Sequence, residues 1–531
     1  MRFIVQSDPR VPSNVGPRAA VLVPDAWDDF GFRTSYDLWF RRAEGTRPID
    51  IGRVKVALVN QGPGPSPLPS GDFAAGLPAD QGEWISLGQD GQYYEAIAML
   101  GQEGREILRG LGDIATPDSL TVTQKRLKKL SASSEVVRVS FMRNISLSTV
   151  LRQWHRITAG GPRLASYEFS YHFPQSGTEI SVRPPLEFEV RPHSVPSSNI
   201  HVLIGPNGVG KTTLLRSLAT AAVRLNHPSK ESTGRIAYAN ETGFANVLLV
   251  TFSAFDPFAG ITPDPEIKYK YVGLPTHAPD SEMSASENAE LKSKDELADE
   301  FIDSLMSIAT SGHYDRWIKA MRTLASDRQF DTAVICDDFP LDETGIRPID
   351  VLHPGGEPAN GAGRPWREIF MSLSSGHAIV LLTLTRLVDL VAEQTLVLLD
   401  EPEAHLHPPL LSSFVRALSE LLSERNGVAI TATHSPVVLQ EVPRSCAYKI
   451  RQSGGRARRP RIETYGENVG VLTHEIFGLE VMKSGFYFEL KKAVDRLDTY
   501  EEVLEHFGRQ LGDEAKGLVH IMIADKKAEG R

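Results

Sequence analysis

The chain has 531 residues, of which 41% are hydrophobic and 23% charged, so it exceeds one ordinary domain and its composition excludes general disorder. A formal net charge of -10 excludes a protein coated in basic surface, although local arginine clusters can still meet a phosphate backbone. The cysteines, Cys336 and Cys446, have neither metal-ligand spacing nor a disulfide pattern, which fits a reducing cytoplasm.

MRFIVQSDPR at the start lacks the apolar core of a signal peptide. Short alternating runs follow, RFIVQS, AAVLVP, DLWF and VKVALVN, separated by Pro and Gly, and they predict strands in a mixed, β-rich region over residues 1–160. The stretch from Gln61 to Gly76 is rich in Pro, Gly and Ser and reads as an exposed loop. Helical spacing returns from Tyr93 to Leu111. The basic run Lys125, Arg126, Lys128 and Lys129 reads either as phosphate contact or as a solvated helix face. SYEFSYHFP and LEFEVRP then predict two strands between Arg163 and Pro192.

An apolar strand from Asn199 to Ile204 stops at a glycine-rich turn, and helical spacing resumes after Lys211. Gly205, Pro206, Asn207, Gly208, Val209, Gly210, Lys211 and Thr212, with Thr213 behind them, fit the phosphate-binding loop G-x-x-x-x-G-K-[ST] at every position. Glycines are needed because backbone N–H groups must turn inward around phosphate oxygens, along a path that side chains would block. The following helix adds the positive end of its dipole. Lys211 supplies a point charge to the outer phosphates, and Thr212 offers a hydroxyl to a hydrated Mg2+. ATP and Mg2+ are the expected ligands.

Val247 to Phe252 predicts another buried strand. The excursion from about Asp256 to Arg367, with its Ser- and acid-rich part from Asp280 to Asp303, lacks sustained heptads and reads as a compact helical insertion. Next comes MSLSSGHAIVLLTLTRLVDLVAEQTLVLLDEPEAHLHPPLLSSFVRALSELLSERNGVAITATHSP, with helix, apolar strand, helix, apolar strand in turn. Its most apolar stretch, Ala378 to Leu399, is interrupted by Arg386, Asp389 and Glu393, so no membrane span is expected. TLVLL and VAITAT belong in a sheet covered on both faces, and the fold class is α/β with a doubly wound sheet.

Asp400 and Glu401 end the strand TLVLL, at the carboxyl edge where ligands of open α/β sheets sit. Asp400 is expected to hold Mg2+ through water, and Glu401 to orient and deprotonate the attacking water. His434, after the next strand, is placed to sense the terminal phosphate. His405 and His407 are spaced as a metal pair or as turn residues.

Beyond Ser435, CAYKIRQ predicts a strand. Arg451, Arg456, Arg458, Arg459 and Arg461 surround the glycine-rich SGGRARRP, as a nucleic-acid contact or a solvated loop. The region from 464 to 531 reads as helical, one helix starting at Thr499 with Glu502 in capping-box spacing.

In order and downstream of GPNGVGKTT, the motifs SLSSGH, LLDEPEAHLHP and THSP resemble the signature, Walker B, D-loop and switch histidine of ABC-type ATPases. The DEPEAHLHP form is similar to RecF-like and OLD-like, AAA-family members. The resemblance places an ABC-type ATPase domain over 163–463. It implies that two subunits sandwich two ATP molecules as a homodimer or higher oligomer, with Ser374 and Gly376 of one chain touching the γ-phosphate held by the other. It also offers Tyr171 or Phe173 as a platform for the adenine base, against their alternative as buried sheet aromatics. This chain departs from the family at Ser253 and Ala254, where a glutamine usually touches Mg2+, and at His377, where the signature usually ends in glutamine.

VPDAWDDFGF, ISLGQDGQYYEAIAML and YGENVGVLTHEIFGL are similar to segments of the Septu and retron-associated antiphage ATPases. In that group the ATPase assembles into oligomers and holds or licenses an HNH-type nuclease partner. No second active site is readable here, so cleavage of nucleic acid would belong to a partner. The expected function is an ATP-hydrolysing switch controlling such a nuclease or DNA engagement in antiphage defence. A RecF-like repair ATPase, a non-hydrolysing ATP-bound scaffold and a transporter motor are the alternatives.

Overall fold

The computed structural model describes residues 1–7, 15–25, 31–116, 120–143, 145, 147, 149–174, 183–224, 233–239, 243–251, 261, 263, 267–275, 291–310, 313–326, 366–451, 457–481 and 485–528. Ser253, Ala254, Arg456 and most of the predicted insertion lie outside them. The chain divides into two units, one of Met1–His201 with Thr212–Ala432, the other of Val202–Lys211 with Thr433–Arg531.

The first unit opens with a mixed sheet of β1 (Arg2–Val5), β2 (Ala19–Pro24), β3 (Ser35–Arg41), β4 (Ile49–Leu58), β5 (Gly71–Phe73) and β6 (Trp84–Gly88). Its order is β5-β1-β2-β3-β4-β6, with only β1 and β2 parallel. In β3 the period of two sends Tyr36, Leu38 and Phe40 into the main core, while Trp39 on the opposite face packs against a smaller cluster of Val15, Ala19, Val21 and Val23. β5 falls inside the stretch read as a loop. Three residues, one of them glycine, carry no alternation from which a strand can be recognised.

The helical run predicted from Tyr93 to Leu111 is two helices, Gly91–Met99 and Gln102–Gly110. Gly101 divides them with φ +62, a left-handed conformation that glycine adopts without Cβ strain. Helix Leu120–Ser133 buries Leu127 and Leu130, while Lys125, Lys128 and Lys129 are exposed, so the basic run is a solvated face.

A three-stranded antiparallel sheet follows, with β7 (Tyr167–His172) between β8 (Leu186–Val190) and β10 (Arg235–Tyr238). It is held by aromatic packing, Phe169 lying 4.9 Å from both Phe188 and Phe244 between ring centroids. β9 (Ile200–Ile204) runs across the boundary between the two units.

The parallel core of the first unit is β12 (Lys268–Gly273), β11 (Asn246–Thr251), β13 (Leu396–Asp400) and β14 (Val428–Thr433), in that spatial order. Every residue of β11, β13 and β14 is buried, as parallel strands covered on both faces must be. Helix Pro408–Arg425 makes the crossover from β13 to β14. The stretch from about Asp256 to Arg367 is not the purely helical insertion expected, because β12 falls inside it and pairs with β11 in the core sheet. Its described helices are Lys294–Thr310 and Tyr314–Leu324, with Trp366–Ser372 at its end, joined by contacts of Trp366 with Phe301 and Trp317.

In the second unit, Val202 to Ile204 of β9 pair in parallel with β15 (Ala447–Ile450), which pairs antiparallel with β16 (Ala457–Arg458). Helices Gly485–Arg496, Tyr500–His506 and Asp513–Ala528 enclose a small core of their own around Leu490, Val494, Val503 and Val519. Thr499 and Glu502 form the expected capping box. Among the described residues, no helix is long and apolar enough to cross a membrane.

Candidate functional site

The phosphate loop leaves β9 at Gly205. A Cβ there would stand 2.5 Å from the carbonyl oxygen of Ile450 on β15, so the close strand pairing itself demands glycine. Gly208 and Gly210 have φ of +76 and +91, the left-handed turns that bring successive N–H groups to one side of a loop. Lys211 opens helix Lys211–Val223 and is buried; its Nζ donates to the carbonyls of Gly205 at 2.9 Å and Pro206 at 3.0 Å. The ammonium is therefore folded over its own loop. Asn207, Gly208, Gly210 and Thr213 are exposed, whereas Pro206 and Val209 are half-buried.

In the first unit, the next residue, Thr212, donates its hydroxyl to Asp400 Oδ1 at 3.1 Å. Asp400 ends β13 between Thr251 on β11 and Ala432 on β14, and is only 5% exposed. A hydroxyl and a buried carboxylate in contact are the pair that an Mg2+ shell needs from protein, because this ion takes few side-chain ligands and keeps several waters. Larger cages are not found: among the described residues no three His, Cys, Asp or Glu gather in a way that could hold a metal.

Glu401 has left-handed backbone, φ +45 and ψ +58, and its N–H donates to the carbonyl of Ala432 at 2.8 Å. The chain then turns through the short 3-10 helix Pro402–His405. Left-handed conformations at a residue with a Cβ are strained and gather where a site must be built. His407 caps helix Pro408–Arg425, its Nδ1 accepting from the N–H of Leu410 at 3.4 Å, so it serves as a turn residue.

Ser374 precedes helix Ser375–Leu390 at the N-cap. Gly376, in the first turn, is buried, and a Cβ on it would stand 2.4 Å from the carbonyl oxygen of His405. The signature turn and the segment after Glu401 are thus packed against each other within one chain. Ser374 Oγ lies 2.6 Å from His377 Nδ1.

The remaining expectations divide. His434, in the second unit, directly follows β14 and is exposed. Tyr171 is fully buried and donates its hydroxyl to the carbonyl of Thr233 at 2.8 Å, which makes it a core aromatic and removes it as a base platform. Phe173 is half-buried, edge-on to Tyr171. Of the arginines, Arg459 is engaged in structure, its guanidinium 3.6 Å over the Tyr448 ring and its Nη1 donating to Ala447. Arg451, Arg458 and Arg461 are exposed.

Two relationships were not readable from motifs. One is the Ser374–His377 contact. The other joins Glu393, between helix Ser375–Leu390 and β13, to Arg156 at 2.7 Å. Burial pushes the Glu393 carboxyl up to about 7, outweighing the nearby guanidinium.

A buried parallel sheet with a carboxylate pair at the end of β13, in a chain that carries a complete phosphate loop, defines a P-loop ATPase of the ABC type. Residues 348–440 match the family described as "AAA domain, putative AbiEii toxin, Type IV TA system". Over 525 residues, 96% of this chain and 95% of the other, the sequence is 36% identical to protein ea59 of Escherichia phage lambda, and the chain belongs to the family of that protein. Similar solved structures include cbiO1 from Clostridium perfringens, part of the ABC transporter complex cbiONQ, 16% identical with a TM-score of 0.30 over 60% of this chain and 95% of that one. UvrA2 from Deinococcus radiodurans is 15% identical with a TM-score of 0.25, covering 59% and 40% respectively. Likenesses this distant carry no argument about substrate or partner.

Proposed function

We propose that this chain is an ATP-hydrolysing switch whose copies close in pairs around two ATP molecules and part on hydrolysis, controlling a nuclease partner or DNA engagement in antiphage defence. The observation that carries the enzymatic reading is the Thr212–Asp400 hydrogen bond, with Glu401 next in sequence in a strained conformation. A chain that merely stored nucleotide would use the Thr212–Asp400 pair for its metal but has no need of a second carboxylate at Glu401.

In this mechanism the backbone of Gly205 to Gly210 wraps the phosphates, and Lys211 exchanges its loop carbonyls for phosphate oxygens. Thr212 and Asp400 are the residues that would hold Mg2+, and the ion would supply positive charge against the negative charge of the phosphates. Glu401 orients a water whose oxygen attacks the γ-phosphorus; the bond to the bridging oxygen breaks, ADP leaves, and Glu401 takes the proton of the water. His434 contacts the γ-phosphate. Ser374 and Gly376 of a second copy close the site, so only the triphosphate holds the pair together.

The biological setting is supported by the matched family's description, which names a toxin of a toxin–antitoxin system, and by a relative that is a phage protein. Exposed Arg451, Arg458 and Arg461 supply the charge for a nucleic-acid contact. A repair role of RecF type would use the same chemistry with DNA as the only partner.

Steady-state hydrolysis by the wild type, lost in Lys211→Ala, is the expected result. Glu401→Gln is expected to bind ATP and accumulate as an assembly of doubled mass by light scattering. A wild type that retains ATP without turnover, or hydrolysis unchanged in Lys211→Ala, would overturn the enzymatic reading in favour of the scaffold.

A further inference from the structure

An N-cap serine ordinarily turns its hydroxyl back to accept from the N–H two or three residues on. Ser374 occupies the N-cap of the sixteen-residue helix Ser375–Leu390 with extended backbone, φ -63 and ψ 159, yet its side chain makes no capping bond. Its Oγ is held instead by Nδ1 of His377 at 2.6 Å, while Ser374 itself remains exposed. His377 sits at the third helical position and is 8% exposed, with the His407 ring centroid 6.1 Å from its own. Gly376, between them, is pinned by the carbonyl of His405. The imidazole is thus fixed on the helix side of the hydroxyl.

The direction of that hydrogen bond decides what the serine can do. If Nδ1 accepts, the serine proton is spent on the ring and only lone pairs face outward, where they repel a phosphate. If Nδ1–H donates, the serine oxygen accepts from the ring and its own proton is directed outward. A glutamine at this position reaches the same end with its amide N–H.

We propose that His377 is a positioning residue: through Nδ1–H it holds the Ser374 hydroxyl off the cap of its own helix and aims the serine proton at the terminal phosphate of a nucleotide bound by a second copy of this chain. The inference rests on the ATP-driven pairing proposed above and deepens it, since it assigns the replacement of the usual glutamine a defined hydrogen-bonding duty. Hydrogen bonds to charged groups are the strong ones, so loss of one at each of two sites weakens pairing at least about tenfold.

The test uses the full chain carrying Glu401→Gln, with ATP affinity measured by titration of the dilute protein and pairing by light scattering against protein concentration. The expected result is that adding His377→Gln leaves the ATP-dependent pairing midpoint within about twofold, whereas His377→Glu, which offers only acceptors, raises it at least tenfold with ATP affinity preserved. His377→Ala is expected to fall between them. Should His377→Ala lose ATP binding through misfolding, the Gln and Glu variants decide. Equal pairing by His377→Gln and His377→Glu overturns the positioning role while the pairing itself stands. Absence of any ATP-dependent mass change in Glu401→Gln alone overturns both.

Discussion

The hydroxyl of Thr212 and Oδ1 of Asp400 are 3.1 Å apart, which ties the residue beside the phosphate-loop lysine to the last residue of the central strand β13. Neither group needs the other for folding of its own element: one opens a helix, the other ends a strand. The parallel pairing of β13 with β11 and β14 places Asp400, and the start of helix Lys211–Val223 places Thr212.

Asp400→Asn keeps an acceptor for Thr212 and removes the charge. The variant is expected to fold, to bind ATP in EDTA as the wild type does, and to lose most of the gain in affinity that Mg2+ confers. Nucleotide titrations with and without the metal check this. A wild-type response to Mg2+ would remove Asp400 from the metal shell.

Glu401 stands at φ +45, where a residue with a Cβ is strained and glycine is not. Glu401→Gly is therefore expected to be more stable than Glu401→Ala by about 1 kcal/mol, although both lose hydrolysis. Denaturant titration of the two variants compares them directly, and a less stable glycine variant would mean that the strain is absent in solution.

At Gly205 a methyl group meets the backbone of Ile450, 2.5 Å away, with no flexible side chain to give way. Relief requires β9 and β15 to separate at the mouth of the phosphate loop. Overpacking of this kind costs about 1–3 kcal/mol. Gly205→Ala should consequently weaken ATP binding by roughly tenfold or more, read by calorimetric titration. Unchanged affinity would show that the loop tolerates the shift.

Glu393 has its carboxyl raised to about 7, above the ordinary 4.5, because burial outweighs Arg156. The folded state therefore binds this proton more tightly than the unfolded chain does. Stability from this group is full below about pH 4.5 and declines as pH rises to about 7, with a slope of up to roughly 1.4 kcal/mol per pH unit. Asp113, also raised to about 7 by burial, acts in the same direction, and His313, lowered to about 3, in the opposite one. Both are unaltered in Glu393→Gln, so the difference between the two proteins isolates Glu393. Unfolding midpoints of the variant should fall less steeply than those of the wild type between pH 4.5 and 7; parallel curves would contradict the assignment.

Several features were legible because their causes are local. The phosphate loop is a contiguous run whose glycines answer to backbone geometry, and β13 and β14 are apolar runs bounded by breakers. Local periodicity likewise found β1 to β4, and capping-box spacing found the helix after Thr499. It failed at β5, too short for a pattern, and at Gly101, where a single backbone angle breaks one apparent helix into two.

What periodicity could not reach was the use made of individual side chains. Tyr171 and Arg459 both looked available in sequence, and both are spent on contacts with Thr233 and with Tyr448 and Ala447. Ser374 and His377 are three positions apart, but whether a serine caps its helix or turns to an imidazole depends on what packs behind it, here the chain around His405 and His407. Sequence alone determined the chemistry on offer, a phosphate loop and a pair of strand-end carboxylates. Only the tertiary structure decided which hydroxyls, rings and guanidinium groups remain for a ligand, because burial and hydrogen-bond partners come from residues distant in the chain.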